Sequence, residues 1–548
     1  RRAFLMGNAL VVGIVAKISA VLTNEVKDKT LVSASYRTRL YEHLHVWTVR
    51  DLTPNRNMTE PIEKEVRRRV YPLDAHELTE EQIAVAFAMT SRRPEPFDEI
   101  AEQVSQEKAA DFRERWVVGY GHASVAEHAV LHLAVEDISR LACDTLEDNR
   151  LASYTEKSSR YQLLPSGYFF HPPELANEPA LAQAFADACR ELFQVYHRLV
   201  EGCVDHLRGA HPKRERERYS AYNLRLQRDA TDSCRAVLPA ATLTNVGVTA
   251  NARVLEHAIS KLMSSELAEE RDLGSELREQ GQKIAPTLIK YAEPNTYLAE
   301  MPEVQRPQTS QFVGEPSSRD VQEGGDGSGA HLKVRLIACT GQAEEKLAAA
   351  LLYRQSGLPY DEIWRRVLDM DAEDRQQIIQ KCVTGMGPHD APVREFEMVD
   401  YTYEYLMDYG AYREFKRHRM QTYIPQSLTT ANGFGVPELL VQAGLNGQFI
   451  GAIEQAEEAY RQVFEFSPVV AQYLVTHAHY RRVLSKLNLR ECYHLFKLRT
   501  SGLAHFAIRE PMIEAMKLAV KAHPGLFRGL QLRDYPEWWE TATGKPEE

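Results

Sequence analysis

The densest chemistry-bearing stretch of the chain is Arg417, His418 and Arg419, followed after seven residues by Ser427, with Arg413 and Lys416 just before it. Adjacent guanidinium groups clamp phosphate oxygens bidentately, or stabilise negative charge on a bound group. The same residues also suit the C-terminus of a helix, where cations complement the helix dipole. Spacing alone leaves both readings open. Ser158 and Ser427 have no evident paired base, so neither reads as an acyl-type nucleophile.

Further polar landmarks surround this stretch. GHASVAEH spans 121–128, EDNRLASYTEKSSRY spans 147–161, and TDSCRAVLP spans 231–239. NARVLEH begins at Asn251, and NLRECYHLFKLRTSGLAHF begins at Asn488. Each allows a plainer role. His122 and His389 suit satisfied core histidines, Asn251 and Asn488 suit helix N-caps, and Arg160 suits an ordinary surface arginine. Their joint order carries more information than any one of them.

That order occurs twice. In the first half, GHASVAEH leads into alternating Leu131, Leu133 and Val135, a half-buried strand, and then a helix with Ile138, Leu141, Ala142 and Leu146 on one face. In the second half, GPHDAPVREF at 387–396 leads into alternating Val399, Tyr401 and Tyr403, then a helical stretch ending in the basic cluster. His122 lies 28 residues before Arg150, and His389 lies 30 before Arg419. Long amphipathic helices follow near Leu181–Leu207 and Phe449–Phe466. Arg235 precedes Asn251 by 16 residues, as Gln472 precedes Asn488. Five landmarks in one order indicate an internal duplication.

The elements positioning these residues form an α+β fold, with strands and helices early in each half and mostly helices late. The expected divisions are an N-terminal extension of unknown role (1–70), a first domain (71–300), a flexible linker (301–331) and a second domain (332–548). The linker's core, EPSSRDVQEGGDGSGA, has almost nothing to bury. Val334–Cys339 reads as a strand, followed by a helix carrying Leu347, Leu351 and Leu352. At the N-terminus, Arg1 and Arg2 precede a largely apolar run from Ala3 to Leu22, interrupted by Asn8 and Lys17. It suits either a signal or anchor segment or a poorly packed extension, and makes a poor membrane span.

The 548 residues are roughly three to four typical domain lengths, and 44% of them are apolar. A formal net charge of −11 provides no general field for nucleic acid or an anionic membrane, so a nucleotide would need a local basic cluster. Seven cysteines lie scattered with no CxxC pair. This argues against a disulfide framework or a zinc site, and fits a reducing cytoplasm.

Arg-His-Arg, seven residues and a serine is the signature of flavin-dependent thymidylate synthases, and the surrounding blocks resemble that family in the same order. The likeness covers roughly Glu95–Glu293 and Val334–Phe527. It implies an FAD enzyme that uses NADPH and methylenetetrahydrofolate to methylate C5 of dUMP, with no metal and no enzyme nucleophile. It also implies sites built between domains, and a homodimer forming a pseudo-tetramer. By resemblance, Glu156, Ser158, Arg160, Arg235, Arg417 and Arg499 would bind the nucleotide, with Arg499 polarising the base. Arg417, His418, Arg419, Asn488, Arg490, His494, His122 and Ser124 would hold the flavin. Other implied readings are a flavoenzyme for another uracil nucleotide, and an inactive nucleotide- or flavin-binding regulator.

The departures from the family pattern are complementary. In the first half, Asp148, Asn149 and Arg150 occupy the Arg-His-Arg position, and the late arginine falls near Leu262. In the second half, Pro425 replaces the glutamate, Thr429 the arginine after the serine, Gln472 the later arginine, and Glu414 a nucleotide-contacting glutamine. A composite site of first-half nucleotide residues and second-half flavin residues is thus expected to be complete. The reciprocal site, with Asp148 beside phosphate or flavin, is expected to be dead.

Overall fold

Strands of alternating apolar residues pair into two antiparallel sheets in the computed structural model, which describes residues 68–73, 78–90, 94–104, 123–314 and 333–544. Contacts divide the chain into Arg1–Pro72 and Leu73–Glu548. The apolar run at Ala3–Leu22, like most of the N-terminal extension, lies outside the described residues. Everything below concerns Leu73–Glu548.

In the first half, β1 (Val130–Ser139) leads into the short helix α1 (Arg140–Leu146), and β2 (Ser153–Glu156) follows. Then come α2 (Pro179–Ala210), α3 (Tyr219–Cys234), β3 (Leu243–Asn251) and α4 (Ala252–Met263). Ile138, expected on the helix, is the last apolar residue of β1 and pairs with Thr244. Ser139 caps α1 by accepting from Ala142 N, so the helix starts two residues later than Ile138.

α5 (Thr296–Phe312) runs into the segment expected to be linker. Asn295 caps it, and none of its residues is buried. The sequence reading gave this stretch as flexible linker and did not foresee the helix. Residues 315–332 lie outside the described ones.

The second half repeats the plan. β4 (Val334–Cys339) and α6 (Ala343–Ser356) precede β5 (Asp400–Asp408), α7 (Tyr409–Phe415) and β6 (Gln421–Pro425). α8 (Asn446–Phe466), β7 (Tyr480–Asn488), α9 (Leu489–Arg499) and α10 (Phe506–Ala522) complete it. The sheets run β1-β3-β2 and β4-β5-β7-β6. With β4 set aside as an added edge, the two orders are the same. Asn251 and Asn488 cap α4 and α9 in identical fashion, each accepting from a backbone N–H three residues on.

The halves join around a pseudo-twofold axis. Ala240 N donates to Val475 O at 2.8 Å, and His477 N returns the bond to Leu238 O at 2.9 Å. Ala241 N to Tyr473 O and Ala478 N to Ala236 O form a second reciprocal pair, both at 2.8 Å. Pro239 faces its own counterpart Thr476. Every pair has the same residue-number offset, which also relates β3 to β7. Earlier in each half a second constant offset holds. Arg140 N donates to Thr242 O as Tyr409 N does to His479 O, and Lys157 N to Asn245 O as Gln426 N does to Arg482 O. The structure therefore places Asp148 opposite Arg417 in the alignment, Glu156 opposite Pro425, Arg160 opposite Thr429, and Leu262 opposite Arg499.

Burial makes this pairing permanent. Phe185, Phe193 and Tyr196 of α2 share one continuous apolar core with Phe449, Ile453 and Tyr460 of α8. These large side chains are almost wholly removed from water, and each contributes about 1.5–3 kcal/mol by transfer. A second core lies beneath the first-half sheet around Leu131, Val246 and Leu255.

Candidate active site

The axis brings together the ends of β2, α3, α7 and α9, and a cavity of about 490 Å³ opens between them. First-half residues Glu156, Ser158, Arg160 and Arg235 line it beside second-half residues Arg417 and Arg499. The halves of a single chain thus meet in one composite site.

Glu156 ends β2 and is the electrostatic centre of one wall. Its side chain is 4% exposed and forms ion pairs with Arg140 and Arg413, both similarly buried. Arg417, half exposed, approaches it at 3.5 Å. Burial alone would raise the carboxyl pKa, but Arg140, then Arg413 and Arg417, outweigh it and hold Glu156 well below the usual carboxylate range. One carboxylate thus faces three guanidiniums.

The opposite wall carries a second ionic chain. Arg160 pairs with Asp232 at 2.8 Å, and Arg235 pairs with the same carboxylate at 3.1 Å. Arg235 also lies 3.6 Å from Glu414, which pairs with Arg499 at 2.9 Å. Glu414 therefore links the first-half arginines to the late second-half arginine.

Arg499 is held from behind. Its Nε–H donates to His418 Nε2 at 2.9 Å, and His418 Nδ1–H donates to Glu491 at 3.1 Å. Burial, more than the opposing pull of Glu491, lowers the ring's pKa. The neutral ring then has one proton, on Nδ1, and one lone pair, on Nε2. His418, Glu491 and His494 lie close enough to suggest a cation site. A cation on Nδ1 would have to displace that proton while Arg499 still needs the Nε2 lone pair, so this geometry belongs to a hydrogen-bond relay.

The remaining expected flavin residues lie elsewhere. Arg419 is exposed. Arg490 and His494 line a smaller recess of about 220 Å³ with His389 and Lys497. Asn488 spends its side-chain oxygen on the α9 cap. Arg490 donates to Pro392 O at 2.8 Å and pairs with Glu397 at 2.9 Å. Ser124 is exposed and lines neither cavity, and His122 lies outside the described residues. His389, exposed on its loop, is not a core histidine.

The residues present fit an anionic, hydrogen-bonding ligand. Arg140, Arg160 and Arg413 each have a buried Nε that makes no hydrogen bond within the protein. His477 offers a buried Nε2 in the same condition, while its Nδ1 bonds Arg235 O at 3.2 Å. All four side chains line the cavity. Buried polar atoms left unpaired are costly in a folded protein, and ligand atoms are one way to satisfy them. The volume lies within the usual range for small-molecule sites. Arg140, Asp232, His477 and His505, which also lines the cavity, were not singled out by sequence, and Arg413 only as a neighbour of the basic cluster. Asp232 lies in the same TDSCR stretch as Arg235, and Arg413 beside the basic cluster, but no periodic signal marks any of them.

At the reciprocal position the side chains are bonded to neighbouring residues. Asp148 pairs with Lys261 and accepts from Tyr423 Oη at 2.8 Å. Arg150 donates to Thr422 at 3.1 Å. Gln472 bonds Leu428 N and Val469 O. These side chains are engaged within the protein fabric.

Comparison with known proteins follows the same division. The family described as thymidylate synthase complementing protein matches residues 73–287 and again 335–525. A "UPF0159 protein" of Chlamydia muridarum is 30% identical over 445 residues, covering 79% of this chain and 82% of that one. A protein of the same designation from Thermoplasma acidophilum is 28% identical over 470 residues, covering 79% and 91%. A "Flavin-dependent thymidylate synthase" of Clostridium tetani is 27% identical over 224 residues, which is 86% of its length but 41% of this chain. With the family's domain matched twice over most of its length, the chain belongs to the thymidylate synthase complementing protein family, the family of the flavin-dependent thymidylate synthases.

Proposed function

We propose that the chain is a flavin-dependent enzyme that methylates C5 of dUMP reductively, with methylenetetrahydrofolate as one-carbon donor and NADPH as reductant. One observation carries this reading. Ser158, Arg160 and Arg235 of the first half share a cavity with Arg417 and Arg499 of the second. FAD, when bound, supplies the hydride and redox chemistry. Arg160 and Arg235 hold the nucleotide, with Ser158 as a hydrogen-bonding partner rather than a nucleophile. Arg499, aimed by His418 and Glu491, stabilises negative charge on the uracil ring as C5 becomes nucleophilic. His418 therefore acts behind Arg499, not as a direct ligand of the cofactor. Release of tritium from C5-labelled dUMP, dependent on added methylenetetrahydrofolate, tests the reaction. Flavin-loaded protein that releases none would sink it.

Glu414 favours a second reading. A carboxylate between Arg235 and Arg499 occupies the heart of the cavity. It suits a uracil nucleotide with a further donor group better than dUMP alone. Competition among uracil nucleotides for binding separates the two. A regulator without flavin would purify colourless.

The exposed basic residues set the flavin prediction. Arg419 has no ion pair among the described residues, whereas Arg150 is already bonded to Thr422. A charge-assisted phosphate contact contributes about 1.5–3 kcal/mol. Arg419→Ala should weaken FAD retention about tenfold or more, and Arg150→Ala much less. Flavin titration by fluorescence quenching measures both, and the reverse ranking would show the halves to be misassigned. With one complete site per chain, a homodimer should bind two FAD.

A further inference from the structure

Residues close to a twofold axis face their own equivalents, so identical halves would set identical charges against each other. Here the charges are reversed. Asp144 of the first half is the equivalent of Arg413, and the two approach at 3.9 Å. Glu147 is the equivalent of Lys416, 3.6 Å away. Lys416 Nζ also donates to the Asp144 carboxylate and backbone oxygen, both at 2.8 Å. Arg481 reaches the other oxygen of Asp144 at 3.3 Å. The Lys416 side chain is 2% exposed and that of Glu147 6%. Tyr409, next in the same helix, donates to the backbone of its own equivalent, Arg140, at 3.1 Å.

We infer that this exchange of acid for base across the axis is a pairing code, which makes a first half accept a second half and reject its own copy. Two second halves on the same axis would bring Lys416 against Lys416 and Arg413 against Arg413, with all four charges out of water. Two first halves would set Asp144 and Glu147 against their own copies. Neither arrangement satisfies the buried charges, and like charges so placed cost several kcal/mol. Specificity of this kind rests on the repulsive alternative as much as on the attractive pair.

The code also ties assembly to chemistry. Asp148, one residue beyond Glu147, lies on the same acidic face and bonds Tyr423 across the junction. The acidic replacements that specify the partner therefore occupy the position where a second basic cluster would be needed for a second site. One site per chain follows from how the halves recognise each other. The inference rests on pairing geometry alone and does not depend on which nucleotide the cavity takes.

The test uses the full-length chain without substrate, read by thermal unfolding and by sedimentation. Glu147→Lys sets lysine against Lys416 and should lower the melting temperature by about 3–5 °C, the scale set by breaking a buried ion pair in a chain of this size. Glu147→Gln removes the attraction without adding repulsion and should lower it clearly less. Because the two positions are equivalent, the exchange Glu147→Lys with Lys416→Glu, made together with Asp144→Asn so that the new carboxylate does not meet the acid bonded by Lys416 in the parent, returns opposite charges to the axis. It should recover more than half of the loss and restore the parent sedimentation coefficient. None of these residues lines the cavity, so the readout is independent of catalysis. The inference is overturned if Glu147→Lys melts within about 2 °C of the parent, if Glu147→Gln loses as much as Glu147→Lys, or if the exchange is no more stable than the single variant.

Discussion

Arg499→Ala should slow the methylation step by a hundredfold or more while reduction of bound flavin by NADPH continues. Loss of a preorganised donor at a developing negative charge raises a barrier by about 2.7–4 kcal/mol. Arg499 is well suited to that task because three of its nitrogens are fixed: Nε by His418, Nη1 by the Glu414 carboxylate, and Nη2 by Glu414 O. A guanidinium held this way does not have to reorganise when charge appears on the ring. Arg499→Lys should fail nearly as badly, since an ammonium reproduces neither the planar fork nor the bond to His418. A milder effect is expected from Glu491→Gln. Its amide can donate to His418 Nδ1, which turns the ring's proton to Nε2, toward Arg499. Rapid mixing of reduced enzyme, dUMP and methylenetetrahydrofolate gives the single-turnover rate directly. An unchanged rate in Arg499→Ala would remove that residue from the chemistry.

The outline of this arrangement was legible in the sequence wherever a period or a spacing recorded it. Strands β1 and β5 alternate in the core-facing pattern, α2 and α8 carry helical apolar stripes, and equal spacing from Arg235 and Gln472 to their asparagines fixed the later register. That spacing is kept because the short 3-10 turn (Arg235–Val237, Gln472–Leu474), the strand and the cap have the same length in both halves, Leu243–Asn251 matching Tyr480–Asn488. The split of site residues between halves was also readable, since it depends only on residue identity at aligned positions. Arg140 and Arg413 were not. Each is buried on a short helix where sequence alone suggests a surface cation, and each is tolerated there only because Glu156 arrives from β2. The acid-for-base exchange at positions such as Asp144 and Glu147 was equally hidden. It acquires meaning only when the axis sets them against Arg413 and Lys416. His418 shows the same limit from the other side. Its motif marks it as important, while its two partners, Glu491 and Arg499, decide what it does.

Glu156→Gln should remove about 3–5 kcal/mol of unfolding free energy at neutral pH, the range for breaking a buried ion pair from one side. The amide leaves Arg140 buried without a counter-charge, Arg413 with only Asp144 at 3.9 Å, and Arg417 without its contact to β2. The dependence on pH separates this from a simple packing defect. The folded pKa of Glu156 is depressed, so its contribution is fully present above the carboxyl's unfolded pKa of about 4.3. It is lost as pH falls through the depressed folded value. The parent and Glu156→Gln should therefore differ by a constant amount from pH 6 to 8, where the carboxyl is fully ionised in both the folded and unfolded states. The gap should begin to close as pH falls below about 4.3, because the unfolded parent then binds a proton that the folded carboxylate does not. Urea unfolding at a series of pH values measures the gap. A difference below about 1 kcal/mol at pH 7 would show that the three arginines do not depend on this carboxylate. A large difference that stays constant down to pH 2 would assign the loss to shape rather than charge.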